Sequence, residues 1–210
     1  MRCVTGLVLL ILLSFSTVVA SPCGTSGMTA LRANDGGGFL FYLFRQGPDI
    51  YFSLDGKEIS FPEGTNGPRR FMIDGILYEN LLLKPEEFMK SARGIPDLDI
   101  LKAHQRYEFD HISKSRSPLK ELQEVGPRTK PPAGGQPEFT FYLWLIKAPR
   151  DSTGPRQYFL TSLSHNEVVV LSAMMPDQSA EDRVMKAFET YARSFQHVLR
   201  KDQCPDTQTK

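Results

Sequence analysis

Three side chains near the middle of the chain have types and spacing that could bind a metal ion. His104, Glu108 and His111 are four and three residues apart, so a helix would project all three from one side. Two imidazoles and a carboxylate are suitable ligands for zinc or non-haem iron. Along a regular helix, however, His104 and His111 lie about 10 Å apart, because each residue rises ~1.5 Å. A solvated helix flank is therefore the alternative to a metal site, and the sequence predicts no bound cofactor.

Two cysteines could form a disulfide. Cys23 and Cys204 stand near the two ends of the chain, and Cys3 lies within the first twenty residues. An exported chain with two cysteines usually pairs them, and the ends of a domain often lie close together. Neither thiol has a second Cys or His at ligand spacing, which argues against a metal site built on them. We therefore expect a Cys23–Cys204 disulfide.

The chain contains one tryptophan, Trp144, in an aromatic segment. We treat Trp144 as a candidate binding residue, because an indole on a surface can stack on a ligand. Core packing is the alternative, since large aromatic side chains are mostly buried. The residues around this segment are not notably basic, so we do not expect it to bind nucleic acid by stacking.

No common catalytic motif is present. The sequence lacks a Gly-x-Ser-x-Gly elbow, a His-Glu-x-x-His helix, a Cys-x-x-Cys pair and a dinucleotide-binding fingerprint. Its 25 Lys and Arg residues nearly balance its 24 Asp and Glu residues, and the two signs are interleaved. The chain therefore has no charge excess to attract nucleic acid. Enzymatic activity is not expected.

Residues 1–20 have the anatomy of a secretory signal peptide. Arg2 supplies the positive charge, an apolar run follows, and small residues precede Ser21. The run is short for a membrane span and no second one follows. We therefore expect cleavage near Ala20, a secreted or periplasmic location, and no membrane span in the mature form.

The pattern of the remaining chain predicts a single α+β domain. We expect an irregular lead-in over residues 21–38, the domain over 39–204 with a Pro/Gly-rich connection at about 114–137, and a disordered tail over 205–210. Strands are expected at 39–44, 49–54, 57–61, 70–83, 138–146, 156–163 and 167–174, with two-residue turns at Asp55-Gly56, Asp74-Gly75 and His165-Asn166. Helices are expected to begin at Pro85, to span 97–113, and to follow a Ser179 cap.

The segment 138–146 is apolar on both faces of its strand. Phe139, Phe141, Leu143 and Leu145 alternate with Tyr142, Trp144 and Ile146. Such a strand must be covered on both sides. The sequence therefore predicts an antiparallel sheet of about six to seven strands with helices on one or both faces, an α/β/α sandwich, or else a sheet with one face buried by a partner chain.

The C-terminal third resembles a known fold. It consists of a strand at 157–163, a tight turn, a strand at 167–174 and a long helix over 182–199 with Ser194-Phe195 near its end. This order is similar to the C-terminal part of the Mog1/PsbP-like fold, in which a terminal helix with a Ser-Phe pair packs on an antiparallel sheet. Members of that family are mostly accessory or binding proteins, and no ligand residue carries over.

These observations favour an exported, non-enzymatic binding or accessory domain that acts through protein–protein contacts. The expected partner is another envelope or extracellular protein, and homo-oligomerisation stays open. The alternative is a small-molecule or metal-binding domain, or an unrecognised hydrolase. A concave site with convergent polar groups would favour that alternative.

Overall fold

The fold consists of two antiparallel sheets and two α-helices. A computed structural model describes residues 27–32, 37–44, 49–62, 70–115, 121–130, 139–147, 156–175 and 178–198. The smaller sheet has the strand order β1-β2-β3-β11. Its strands are β1 (Gly27–Arg32), β2 (Gly38–Phe44), β3 (Asp49–Asp55) and β11 (Gln196–Val198).

The larger sheet has seven strands in the order β4-β5-β6-β10-β9-β8-β7, and all of its neighbouring pairs are antiparallel. Its strands are β4 (Ile59–Ser60), β5 (Arg70–Ile73), β6 (Ile76–Leu83), β7 (Glu121–Lys130), β8 (Phe139–Lys147), β9 (Arg156–Ser164) and β10 (Glu167–Met175). The helices are α1 (Asp97–Ser115) and α2 (Glu181–Ser194). The α+β class is therefore confirmed.

Both faces of the seven-stranded sheet are covered within this chain. On one face, α2 and the four-stranded sheet enclose a large cluster that includes Phe139, Phe141, Leu143 and Leu145. On the other face, α1 packs over a smaller cluster that includes Tyr142, Trp144 and Ile146. The alternation predicted for β8 is confirmed, and within the described residues no partner chain is needed to cover it.

The two helices differ in how well their ends were predicted. α1 begins at Asp97, and Leu98, Leu101, Gln105, Phe109 and Ile112 lie towards the sheet, as their spacing indicates. The prediction that Ser179 caps α2 is wrong, because Ser179 lies in a short 3-10 turn. The cap residue is Ala180, which makes no side-chain hydrogen bond. α2 also ends at Ser194, so residues 196–198 form a strand instead of a last helical turn.

Two of the three predicted tight turns are confirmed. Asp74 and Gly75 have positive φ between β5 and β6, and His165 and Asn166 have positive φ between β9 and β10. The prediction of a hairpin at Asp55-Gly56 is wrong, because β3 pairs with β2 and β11 whereas β4 belongs to the other sheet. The Asp74 carboxylate accepts the backbone N–H groups of Lys57 and Glu58 instead, which fixes the chain as it crosses between sheets.

Two strands lie where the sequence predicts irregular structure. β1 occupies part of the expected lead-in, and β7 occupies part of the expected connection at 114–137. β7 contains Pro127 and a register shift between Glu124 and Gly126, which only an edge strand tolerates readily. The segment predicted to be a signal peptide, the cysteines Cys3, Cys23 and Cys204, and the predicted C-terminal tail all lie outside the described residues.

Candidate functional site

The structure separates the three predicted metal ligands. On α1, His104 is fully buried, Glu108 is partly exposed and His111 is exposed. The nearest approach of the first two is 3.7 Å, between His104 Nε2 and Glu108 Oε1. The His111 ring instead stacks on Tyr107, with 6.5 Å between the ring centroids. Among the described residues, no group of three or more His, Cys, Asp or Glu side chains could hold a metal ion.

Trp144 lies in the core. Its side chain is fully buried, and its ring stacks on Phe159 with 3.9 Å between centroids and 3° between planes. The His104 ring is steeply inclined to both the indole and the Phe88 ring, with centroids 6.4 Å and 5.4 Å away respectively. Trp144 therefore presents no stacking surface to a ligand, and core packing is the correct interpretation.

Several buried polar atoms on this face have no hydrogen-bond partner among the described residues. They belong to both ring nitrogens of His104, Nε1 of Trp144, the amide nitrogen of Gln105 and the hydroxyl of Tyr142. Burial, with a smaller contribution from Glu124, raises the pKa of Tyr142 above its usual value. A buried polar group without a partner typically costs 1–3 kcal/mol, at about the level of one lost hydrogen bond. These atoms therefore reduce the stability that apolar burial gives to this face.

A serine–histidine contact joins the two sheets. Ser164 Oγ lies 2.6 Å from His197 Nε2, and the His165 ring lies 4.4 Å from that of His197. A serine bonded to an imidazole is the first requirement of a nucleophile and its base. Ser164 is only 1% exposed, however, so a substrate carbonyl has no approach to Oγ. The contact instead holds β11 against the end of β9.

A cleft of about 530 Å³ opens on the α1 side of the same β9–β10 turn. Its walls come from the segment that leads into α1, the first turn of α1 and the tip of the hairpin. The lining residues are Pro85, Glu86, Ser91, Ala92, Arg93, Gly94, Ile95, Asp97, Ile100, Leu163 and Asn166. Sequence reasoning missed this cleft, because no motif marks the segment 85–97.

The cleft has an apolar floor and a charged rim. Ile100 is buried, Leu163 is partly buried, and Ile95 is 41% exposed. Glu86, Arg93 and Asp97 surround them, and the described contacts give none of these three side chains an ion pair or hydrogen bond. Within the described part of the chain, these charged groups therefore face the cleft without a partner.

Other exposed large apolar side chains lie on separate segments of the described chain. Within the described ranges they are Phe61 after β4, Tyr107 on α1 and Val125 on β7, which belong to three separate segments. No helix of the described part is long and apolar enough to cross a membrane. The cleft around Ile95 thus combines exposed apolar surface, charge and concavity.

Comparisons with known proteins identify a similar solved structure but no family. No model of a protein family matches the chain, and no curated protein sequence matches it. The solution structure of cyanobacterial PsbP (CyanoP) from Synechocystis is 10% identical and covers 85% of this chain and 96% of its own, with a TM-score of 0.44. The similarity thus extends beyond the C-terminal third, but at this score it assigns no function.

Proposed function

We propose that this chain is an exported, non-enzymatic accessory domain that binds another envelope or extracellular protein through the cleft beside α1. The observation that carries the proposal is the exposed Ile95 beside the charged side chains of Glu86, Arg93 and Asp97, which have no ion pair among the described residues. A concave surface of this kind fits an aliphatic side chain of the partner against Ile95, Ile100 and Leu163. Flanking charged groups of the partner would then meet Glu86, Arg93 and Asp97.

The composition of the cleft favours a protein partner over a small substrate. Its charges lie at the exposed rim, whereas small-molecule sites usually place a few polar groups deep in an apolar pocket. The floor and rim resemble the ordinary plan of a protein interface, in which an apolar centre is surrounded by polar groups. The buried Ser164–His197 contact gives no support to a hydrolase, because its hydroxyl is covered.

Export is the second part of the proposal, and it rests on residues 1–20. N-terminal sequencing of protein from the native host should give Ser21 as the first residue. An intact Met1 in the mature material would contradict export by this route. That result would leave the cleft and its binding test unaffected.

The binding test compares two exposed aliphatic residues at different places. Ile95 in the cleft and Val125 on the edge strand β7 are 41% and 43% exposed, so they form a matched pair. Proteins captured from the envelope of the native host by the wild type, Ile95→Asp and Val125→Asp should be quantified side by side. The true partner should be retained by the wild type and Val125→Asp, and lost with Ile95→Asp.

The captured partner should then be purified and its Kd measured. A carboxylate at the centre of an apolar contact should weaken binding at least tenfold, or about 1.4 kcal/mol, in Ile95→Asp. Val125→Asp should stay within twofold of the wild type. A partner that depends on Val125 and not on Ile95 would place the interface at the sheet edge, and a capture profile unchanged by both substitutions would overturn the proposal.

A further inference from the structure

We infer that the partner segment received by the cleft carries an aliphatic side chain next to a lysine or arginine. The inference rests on the proposed function, because it names the chemistry of the partner at the same cleft. Among the described residues that line the cleft, Glu86 and Asp97 supply two exposed carboxylates, whereas Arg93 supplies one exposed guanidinium. A segment with basic side chains complements this surplus of negative charge.

The carboxylate of Asp97 stands beside the apolar floor of the cleft. Asp97 is the first residue of α1 and Ile100 comes three positions later, so their side chains are neighbours on the helix surface. The N-terminus of α1 carries a partial positive charge of ~0.5, which Asp97 and Asp99 in the first turn together outweigh. An aliphatic side chain in contact with Ile100 would therefore bring a neighbouring basic group close to the Asp97 carboxylate.

The other two charged residues are presented from backbone that hydrogen bonds hold in place. Arg93 lies in a turn that the Ile95 N–H closes by donating to the Ala92 carbonyl at 3.1 Å. Gly94 occupies the third position of this turn with a φ of 80° or less, at 76°, which glycine adopts without strain. Glu86 lies in a 3-10 turn that is closed by a further backbone hydrogen bond. A partner therefore has little backbone to order when it binds.

Arg93 gives the inference a sign that substitutions can test. A basic segment would face two carboxylates and one guanidinium, so loss of a carboxylate should weaken its binding and loss of the guanidinium should strengthen it. Within the described part of the chain, Glu86, Arg93 and Asp97 make no side-chain ion pair or hydrogen bond. Their neutral variants therefore break no described side-chain contact.

Three synthetic peptides serve as probes of the cleft. They are acetyl-Gly-Ser-X-Leu-X-Ser-Gly-amide with lysine, serine or glutamate at both X positions, titrated into the full ¹⁵N-labelled chain while the amide signals of Ile95 and Asp97 are followed. In 10 mM salt the lysine peptide should bind at least threefold more tightly than the serine peptide, and the glutamate peptide should bind most weakly. The differences should vanish in 1 M salt, because the screening length falls from ~30 Å to ~3 Å.

Three variants assign the preference to the lining charges. Glu86→Gln and Asp97→Asn should each raise the Kd of the lysine peptide about two- to threefold, and Arg93→Gln should lower it by a similar factor. Asp110→Asn is the matched control, because Asp110 is an exposed carboxylate on the same helix, about 20 Å along the axis from Asp97. Its effect should stay within 1.3-fold, at about the level of long-range screening.

The outcomes separate this inference from the proposed function. Equal affinity for the three peptides, or tighter binding of the glutamate peptide, would overturn the inference and leave a cleft that still receives an aliphatic side chain. Signals that shift outside the cleft, or no shift with any peptide at 10 mM, would overturn it as well. In that case the capture comparison of Ile95→Asp with Val125→Asp still decides the proposed function, because it uses the native partner.

Discussion

The two faces of the seven-stranded sheet are built differently. The face towards α2 carries a dense aromatic cluster in which Phe141 meets Tyr191 and Phe195 edge-on. The face towards α1 carries a much smaller cluster, and several of its buried polar atoms lack partners. The α1 face also borders the cleft. The comparison indicates that most of the stability resides on the α2 face, while α1 and its cleft are the more adaptable side.

Unpartnered polar atoms occur on the α2 face too, but in a different arrangement. They belong to Asn80 and Tyr191. Burial raises the pKa of Tyr191, and the nearby Asn80 amide lowers it in part. On the α1 face, by contrast, the His104 ring packs against the rings of Phe88 and Trp144, with centroids 5.4 Å and 6.4 Å away. Neither of these neighbours offers an oxygen to the imidazole nitrogens.

Truncating one phenylalanine on each face should give the largest effect. Phe141 in β8 and Phe159 in β9 are both buried, and they belong to the α2-side and α1-side clusters respectively. Phe141→Ala should lower the free energy of unfolding by about 4 kcal/mol, because the surrounding core cannot close around the cavity. Phe159→Ala should cost at least ~1 kcal/mol less, since α1 can shift towards the sheet. Urea unfolding measures both, and equal costs would show that the faces are equally rigid.

A second pair of substitutions compares two buried hydroxyls. Tyr158 donates to Glu181 at 2.5 Å, and Glu181 also pairs with Arg156. Tyr158→Phe should therefore cost about 1–2 kcal/mol, as expected for a hydrogen bond to a partly exposed carboxylate. The Tyr142 hydroxyl has no hydrogen-bond partner among the described residues, so Tyr142→Phe should not lower stability and should raise it by up to ~1 kcal/mol. A larger loss for Tyr142→Phe than for Tyr158→Phe would reverse the comparison.

The Tyr158 hydroxyl also predicts a loss of stability in alkaline solution. Burial, and then the Glu181 carboxylate, raise the pKa of Tyr158 from 10.0 to about 12. The folded chain holds this proton at a pH where the unfolded chain has released it. The contribution is therefore complete below pH 10 and is lost as the pH rises to about 12. Unfolding at pH 8 and pH 11 should show a smaller alkaline loss for Tyr158→Phe than for the wild type.

The sequence was sufficient to predict local structure wherever the local residue pattern agreed with the burial of the side chains. The alternating faces of β8, the buried stripe of α1 and the turn at His165-Asn166 were all predicted and are observed. In each case a run of side chains has one periodicity, and the turn residues suit positive φ. Such features need no knowledge of distant parts of the chain.

Long-range pairing accounts for what the sequence did not reveal. Asp55-Gly56 has the local form of a hairpin, yet β3 pairs with β11, which lies some 140 residues away in the sequence. β7 contains Gly126 and Pro127, which locally indicate a loop, but β8 supplies a full partner register. The cleft depends in the same way on bringing Ile95 and Leu163 together, and no spacing in the sequence encodes that contact.

The smallest expected effect has the opposite sign and is the sharpest test of the α1 face. In His104→Leu, an apolar side chain replaces a fully buried imidazole whose two nitrogens lack partners, so stability should rise by about 0.5–1 kcal/mol. Glu108→Gln is the matched control and should change stability by less than ~0.5 kcal/mol, because its carboxylate lies 3.7 Å from the ring. Trp144, the only tryptophan, packs against His104 and reports unfolding by its fluorescence. A loss of 2 kcal/mol or more in His104→Leu would mean that the imidazole makes a favourable polar contact, and the α1 face would then be as well satisfied as the other.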